Sequence, residues 1–176
     1  MQTLQRLRAA LLPVTGAVVV PGVILWLTGP DTFGLWKANP AARVVLAIFG
    51  GASFCLGLVL MIATVWLFAT IGHGTPEPWK PPRHLVVRGV YRHVRNPMIV
   101  GAYFLLLGEA GLTASMPLLI FVVLVVAINA IYIPLSEEPG LVKRFGDDYL
   151  TYKQNVPRWI PRLRPWQTDA MKIGKP

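Results

Sequence analysis

The side chains able to do chemistry fall in two short stretches of the sequence. The first runs from Leu85 to Pro97 and holds Arg88, Tyr91, Arg92, Arg95 and Asn96. The second opens on Glu137-Glu138 and continues through Tyr149 and Tyr152 to Arg158. A guanidinium such as that of Arg95 can donate a forked pair of hydrogen bonds to a carboxylate, and Asn96 beside it can both donate and accept. Two adjacent glutamates can hold an ammonium group, and one of them can take a proton from an amine. His73, His84 and His93 lie eleven and nine residues apart on one polar stretch, poor spacing for a ligand set, and the single cysteine, Cys55, excludes a disulfide framework and a cysteine-based cluster. No metal is expected.

The elements that must position these residues are apolar. The chain has 176 residues, 54% hydrophobic and 14% charged, with a mean hydropathy of +0.53. Soluble domains carry about 25% charged residues, so a single membrane-embedded domain is indicated. Charge-free runs cover 9–30, 44–72, 96–108 and 110–136. A crossing needs about 20 apolar residues. The first, second and fourth runs pass that test. The third is shorter and predicts one arm of a tight hairpin, joined to the fourth through Gly108-Glu109-Ala110-Gly111. Four spans follow, at about residues 9–29, 44–72, 97–112 and 115–135, in an all-α polytopic bundle. The domain is expected to cover 1–164, with a flexible tail at 165–176. The first run resembles a signal peptide only superficially, because Pro13 and Pro21 interrupt it and no small-residue cleavage site ends it.

Charge fixes the sidedness. The net charge is +9, from 17 Lys and Arg against 8 Asp and Glu. In a membrane protein such an excess reads as a topology signal, so no nucleic-acid partner is expected. Arg6 and Arg8 precede span one. Lys80, Arg83, Arg88, Arg92 and Arg95 lie between spans two and three, and eight more Lys and Arg follow span four. The opposite loops hold only Lys37 and Arg43. With four crossings the three basic segments share one face, the cytoplasmic one, and both termini lie there.

Two polar segments, 73–96 and 136–161, occupy that face. The first begins with a proline-rich stretch, residues 74–82, which forbids a helix. Leu85 to Arg95 then suits a path at headgroup level with snorkelling arginines. Pro97 is a natural first-turn residue for span three, with Asn96 as its N-cap. In the second segment Ser136 is a candidate N-cap and Glu137-Glu138 suit a helix N-terminus. Leu141, Phe145, Tyr149, Tyr152 and Val156 follow at helical spacing as an amphipathic stripe.

Gly74-Thr75-Pro76, Pro81-Pro82, Leu85-Val86, Gly89-Val90-Tyr91, Arg95-Asn96-Pro97-Met98 and Gly101 resemble the first signature of the isoprenylcysteine carboxyl methyltransferase and phospholipid methyltransferase superfamily. Glu137-Glu138, Leu141, Phe145-Gly146, Tyr149, Tyr152 and Val156-Pro157-Arg158 resemble its second. The usual Arg-His-Pro-x-Tyr-x-Gly is altered, with Asn96 where His is common and Ile99 where Tyr is common. The resemblance implies an integral membrane enzyme that uses S-adenosylmethionine without a dinucleotide-binding domain. The sequence agrees on the negative point, since Gly72-His73-Gly74 goes no further toward a Gly-x-Gly-x-x-Gly turn.

The resemblance further implies that Leu85, Val86, Gly89, Tyr91, Arg95, Asn96, Pro97, Gly101, Glu137 and Glu138 bind the cofactor, with Arg95 on its carboxylate and a glutamate on its ammonium. Glu138, Tyr152 and Arg158 are the candidates for contact with the reaction. The acceptor is then a lipophilic molecule of the bilayer, an isoprenylcysteine carboxylate or a phospholipid amine. Two rivals are an NADPH-dependent membrane reductase, because sterol reductases share an Arg-x-Pro motif, and a non-catalytic membrane subunit or small transporter.

Overall fold

The computed structural model describes residues 15–34, 39–70 and 85–167. Among them every regular element is helical. The proline-rich motif at 74–82, His73, His84, Arg6 and Arg8 lie outside the described residues.

A π-helical turn at Thr15–Val19 leads into α1 (Val20–Thr28). Helix α2 (Pro40–Thr70) and α3 (Pro97–Thr113) form the principal pair, and α4 (Met116–Tyr132) packs beside α3. Two stretches, Pro40–Leu67 and Met116–Phe145, are long and apolar enough to cross a membrane, and α3 and Thr15–Thr28 are shorter apolar helices. The protein is an all-helical bundle of the membrane type. Its outward residues agree: Trp26, Phe49, Ile62, Trp66, Ile128 and Ile131 are all exposed and apolar, as lipid-facing side chains should be.

The α2–α3 pair shows why the sequence carries so many glycines. Lipid offers no hydrophobic drive between helices, so close backbone approach must hold them together. A Cβ built on Gly57 would lie 2.6 Å from the Leu105 amide nitrogen, one on Gly108 2.7 Å from that of Phe54, and one on Gly50 2.7 Å from that of Leu112. Gly50 and Gly57 on α2 thus face Gly108 and Gly101 on the antiparallel α3. Ser53 adds a hydrogen bond across the interface, its hydroxyl donating to the Phe104 carbonyl at 2.8 Å.

Several sequence expectations are corrected. The α3–α4 hairpin turns at Ala114-Ser115, not at 108–111, because Gly108 and Gly111 are helix-packing residues against α2. Ala114 takes the left-handed conformation (φ 48°), and the Ser115 hydroxyl accepts the Leu118 N–H to cap α4. Asn96 does precede α3, with Pro97 at its first turn, but its side chain makes no capping hydrogen bond. Ser136 is not an N-cap. The chain stays helical past it through a π-helical turn, Ile133–Glu137, into α5 (Glu138–Phe145). Pro134 and Pro139 each lack an N–H, and the wider turn between them satisfies the Ile133 carbonyl from the Glu138 N–H, five residues on. The helix finally breaks at Gly146 (φ 55°), in a conformation suited to glycine, and α6 (Asp147–Asn155) follows.

The stripe from Leu141 to Val156 therefore spans two helices, yet it works as one surface. Tyr149, Tyr152 and Val156 bury themselves against Val87, with Leu85, Leu141, Val142, Phe145 and Trp166 around them. Val86 and Tyr91 pack on Leu67 at the end of α2. The stretch 85–95 thus turns its apolar residues into the protein rather than into headgroups. Each buried side chain of this size contributes about 1.5–3 kcal/mol.

Candidate functional site

The two polar segments meet at one carboxylate. The π-helical turn delivers Glu138 inward, so that the residue is only 2% exposed. Arg95 Nη1 reaches its Oε1 at 2.9 Å and Arg158 Nε reaches the same oxygen at 2.7 Å. Lys153 Nζ pairs with Oε2 at 2.7 Å. Three cations from three places in the chain therefore converge on one buried acid.

Each partner is positioned by a local reason. Arg95 sits one residue before the Asn96 N-cap position, and its N–H donates to the Pro157 carbonyl at 2.9 Å. That bond begins a non-helical strap, residues 157–167, which runs along the 85–95 stretch. The Arg162 N–H donates to the His93 carbonyl and the Trp166 N–H to the Arg92 carbonyl, at 3.0 and 2.9 Å. Arg92 Nε returns a bond to the Trp166 carbonyl at 2.6 Å. Residues 165–167, assigned to the tail from the sequence, are pinned by these contacts and by the Trp166 ring, 5.9 Å from that of Tyr152. Trp159 of the strap stacks obliquely on Tyr103 of α3, with centroids 5.8 Å apart.

The electrostatics follow from this arrangement. Burial pushes the Glu138 carboxyl up, but hydrogen bonds from Arg158 and Lys153 and the charge of Arg95 outweigh it, and the carboxyl lies below the usual carboxylate range. Glu138 is thus held ionised and is a poor proton acceptor. Glu137 behaves oppositely: burial first, and then the Glu138 charge, raise it. Tyr152 donates its hydroxyl to the Tyr91 carbonyl at 2.7 Å. Burial raises the phenols of both Tyr91 and Tyr152 well above the ordinary tyrosine value, so both stay neutral.

Of the residues singled out from the sequence, Arg95, Glu138 and Arg158 are brought together, with Asn96 and the buried Pro97 adjoining them. Leu85 and Tyr152 pack in the cluster around Val87, and Val86 and Tyr91 pack on Leu67, while Gly89 is exposed. Gly89 takes a positive φ of 54°, and a Cβ there would lie 3.0 Å from Leu67 Cδ1. Gly101 belongs elsewhere: its missing side chain admits Leu60, Met61 and the Gly57 carbonyl of α2. Lys153, Trp159 and Trp166 were not singled out. The signal for Lys153 was its place beside Tyr149 and Tyr152, at the edge of the apolar stripe. His93 lies against the Arg162 carbonyl at 2.8 Å. Among the described residues no group of three His, Cys, Asp or Glu side chains gathers.

Residues 45–148 match the family model of phospholipid methyltransferase, more than half of the chain. The chain belongs to the phospholipid methyltransferase family. Membership makes it a membrane methyltransferase in general terms, and places it in the superfamily that the two signatures resemble. The matched range carries Arg95, Glu137 and Glu138, whereas Lys153 and Arg158 lie beyond it. Comparison with curated proteins and with solved structures returned no match.

Proposed function

We propose that this family member transfers a methyl group from S-adenosylmethionine to a lipophilic acceptor of the isoprenylcysteine carboxylate or phospholipid amine type, at the cytoplasmic ends of its spans. The observation that carries the reading is the convergence of both signature segments on Glu138. The distribution of Lys and Arg supports four crossings with both termini cytoplasmic.

The residues present suit the cofactor's charged end. Arg95 Nε is a buried donor with no hydrogen-bond partner, and three cations against one carboxylate leave a local positive excess. Arg95 would hold the carboxylate of the cofactor and Glu137 or Glu138 its ammonium. Asn96 and Pro97 adjoin Arg95, and the apolar packing of Leu85, Val86 and Tyr91, with the turn at Gly89, holds the segment that carries it. When bound, the cofactor supplies an electrophilic methyl carbon on a sulfonium. The protein's share is alignment and exclusion of water. Where the acceptor is an amine, Glu137 is the better base of the pair, since Glu138 is held ionised by its three cations. Arg158 closes the strap side, and Tyr152 braces Tyr91 through its buried hydroxyl.

Calorimetric titration of S-adenosylhomocysteine into the detergent-solubilised protein tests the reading, with NADPH titrated in parallel. Binding of the first and not the second is expected, and Arg95→Ala should weaken it by about tenfold or more, the worth of a charge-assisted hydrogen bond. Binding of NADPH alone would favour a reductase. Binding of neither would favour a non-catalytic subunit. Transfer of labelled methyl into a membrane extract then identifies the acceptor class.

A further inference from the structure

The strap leaves two large apolar side chains with nothing on them. Ile160 is 79% exposed and Leu163 98% exposed. Their neighbours are fixed: Arg162 bonds the Asn155 carbonyl through Nη1 at 2.7 Å and donates its N–H to His93, and Trp166 is tied to Arg92. The exposure is therefore a property of a held segment. Exposed Arg164 stands beside Leu163, and Pro161 and Pro165 keep the segment from becoming helical.

The depth of the strap is set by Trp159. Its ring meets Tyr103, which lies six residues into α3 from Pro97, or about 9 Å along the helix. A tryptophan at that level, followed by Ile160, an arginine and Leu163, has the composition of an interfacial segment: amphipathic ring, apolar anchors and cations at headgroup level. The exposed arginines and lysines of the neighbouring elements, Arg88, Lys143 and Arg144, carry the same sign.

We infer that the strap at residues 157–167 is a membrane-seated anchor, with Ile160 and Leu163 inserted among the lipids and Arg164 on acidic headgroups. The partner is an anionic phospholipid surface, the source of negative charge that cationic juxtamembrane segments meet on the cytoplasmic side. Because the strap also carries Arg158, its seating holds that guanidinium against Glu138. The inference does not depend on which molecule the protein methylates.

The test uses the full chain with Cys55→Ala and one new cysteine, Leu163→Cys or Ile160→Cys, labelled with an environment-sensitive fluorophore. Exposed Gln154→Cys on α6 is the reference. The proteins are reconstituted into phosphatidylcholine bilayers with and without phosphatidylglycerol, and the lipids carry a nitroxide high on the acyl chain. Labels at 160 and 163 should shift to the blue and be quenched, more so with phosphatidylglycerol, while the label at 154 is not. Arg164→Gln should lower the ratio of seated to unseated strap about fivefold in the anionic bilayers and leave it unchanged in phosphatidylcholine alone. Quenching at 163 and 160 no greater than at 154 overturns the inference. Quenching that ignores phosphatidylglycerol and Arg164 overturns its anionic half. Neither result bears on binding of S-adenosylhomocysteine, so the two proposals fail separately.

Discussion

Removing the three cations around Glu138 one at a time should rank them by burial rather than by distance. All three contacts lie between 2.7 and 2.9 Å, so geometry alone predicts near equality. The surroundings differ: the Arg95 side chain is 9% exposed, Arg158 25% and Lys153 41%, around a Glu138 side chain that is 3% exposed. An exposed ion pair contributes about 0–1 kcal/mol because water screens it. Breaking a buried pair costs about 3–5 kcal/mol, because a charge is left without its partner. Arg95→Ala should therefore cost about 3 kcal/mol, at the low end because two cations remain on Glu138. Lys153→Ala should cost less than about 1 kcal/mol, with Arg158→Ala between them. Equilibrium unfolding in mixed detergent micelles, followed by tryptophan fluorescence, measures all three. Arg95→Ala combined with Glu138→Gln should cost well under the sum of the single changes, since both remove the same interaction. Equal costs for Arg95→Ala and Lys153→Ala, or strict additivity in the double variant, would refute the view that Glu138 is a buried hub.

Two further outcomes follow from other parts of the molecule. Gly108→Ala must push α2 and α3 apart, because its Cβ meets the Phe54 backbone at 2.7 Å, and should cost about 1–3 kcal/mol; Gly51→Ala, with nothing within 4 Å, should be neutral in the same unfolding measurement. Tyr152→Phe keeps the ring against Trp166 but leaves the Tyr91 carbonyl without its donor, a cost of about 1–3 kcal/mol. Because burial raises the Tyr91 and Tyr152 phenols in the folded state, their contribution is complete below the unfolded value of about 10 and is lost as pH rises through and beyond it. Tyr152→Phe should accordingly flatten the alkaline limb of a stability–pH profile.

The bundle was legible because its signals are local. Charge-free runs and prolines mark α2, α3 and α4 in the sequence within a few residues of where they lie, and the stripe from Leu141 to Val156 names the face that packs on Val87. The misplacements share a physical cause, which is that a residue's type does not reveal its partner. Gly108 and Gly111 read as a turn when α2 is not in view, and they are interior once Phe54 and Gly50 are set against them. Ser136 reads as a cap only if the helix begins there, whereas a π-helical turn absorbs Pro134 and carries the helix on. At the site, Arg95, Glu138 and Arg158 could be named from the two signatures. Lys153 carried only its place at the edge of the stripe, because its contact with Glu138 is made across the break at Gly146.

The division of charge at the site has its own consequence. Within the residues matched by the family model, Arg95 and Glu138 make a neutral pair, and the two cations that tip the site positive, Lys153 and Arg158, come from the stretch beyond it. The depression of the Glu138 carboxyl should depend on that stretch, since hydrogen bonds from Arg158 and Lys153 are the leading influences opposing burial. Replacing both by glutamine removes two positive charges and leaves burial in place, so the folded carboxyl must move up toward, or past, its unfolded value. A group depressed in the folded state stabilises above its unfolded pKa, and the stabilisation is lost as pH falls through the folded pKa. The unaltered protein should therefore lose this stabilisation progressively as pH falls from the unfolded value of about 4.3 to the lower folded one. The Lys153→Gln, Arg158→Gln variant lacks that stabilisation at neutral pH, so it should start less stable and lose less as pH falls, with a flatter acid limb. Thermal unfolding midpoints measured in detergent from neutral pH downward read this directly, with Arg95 left in place so that the pair stays formed. An acid limb as steep in the double variant as in the unaltered protein would mean that Arg95 alone sets the state of Glu138, and that the strap contributes shape to the site but not its charge.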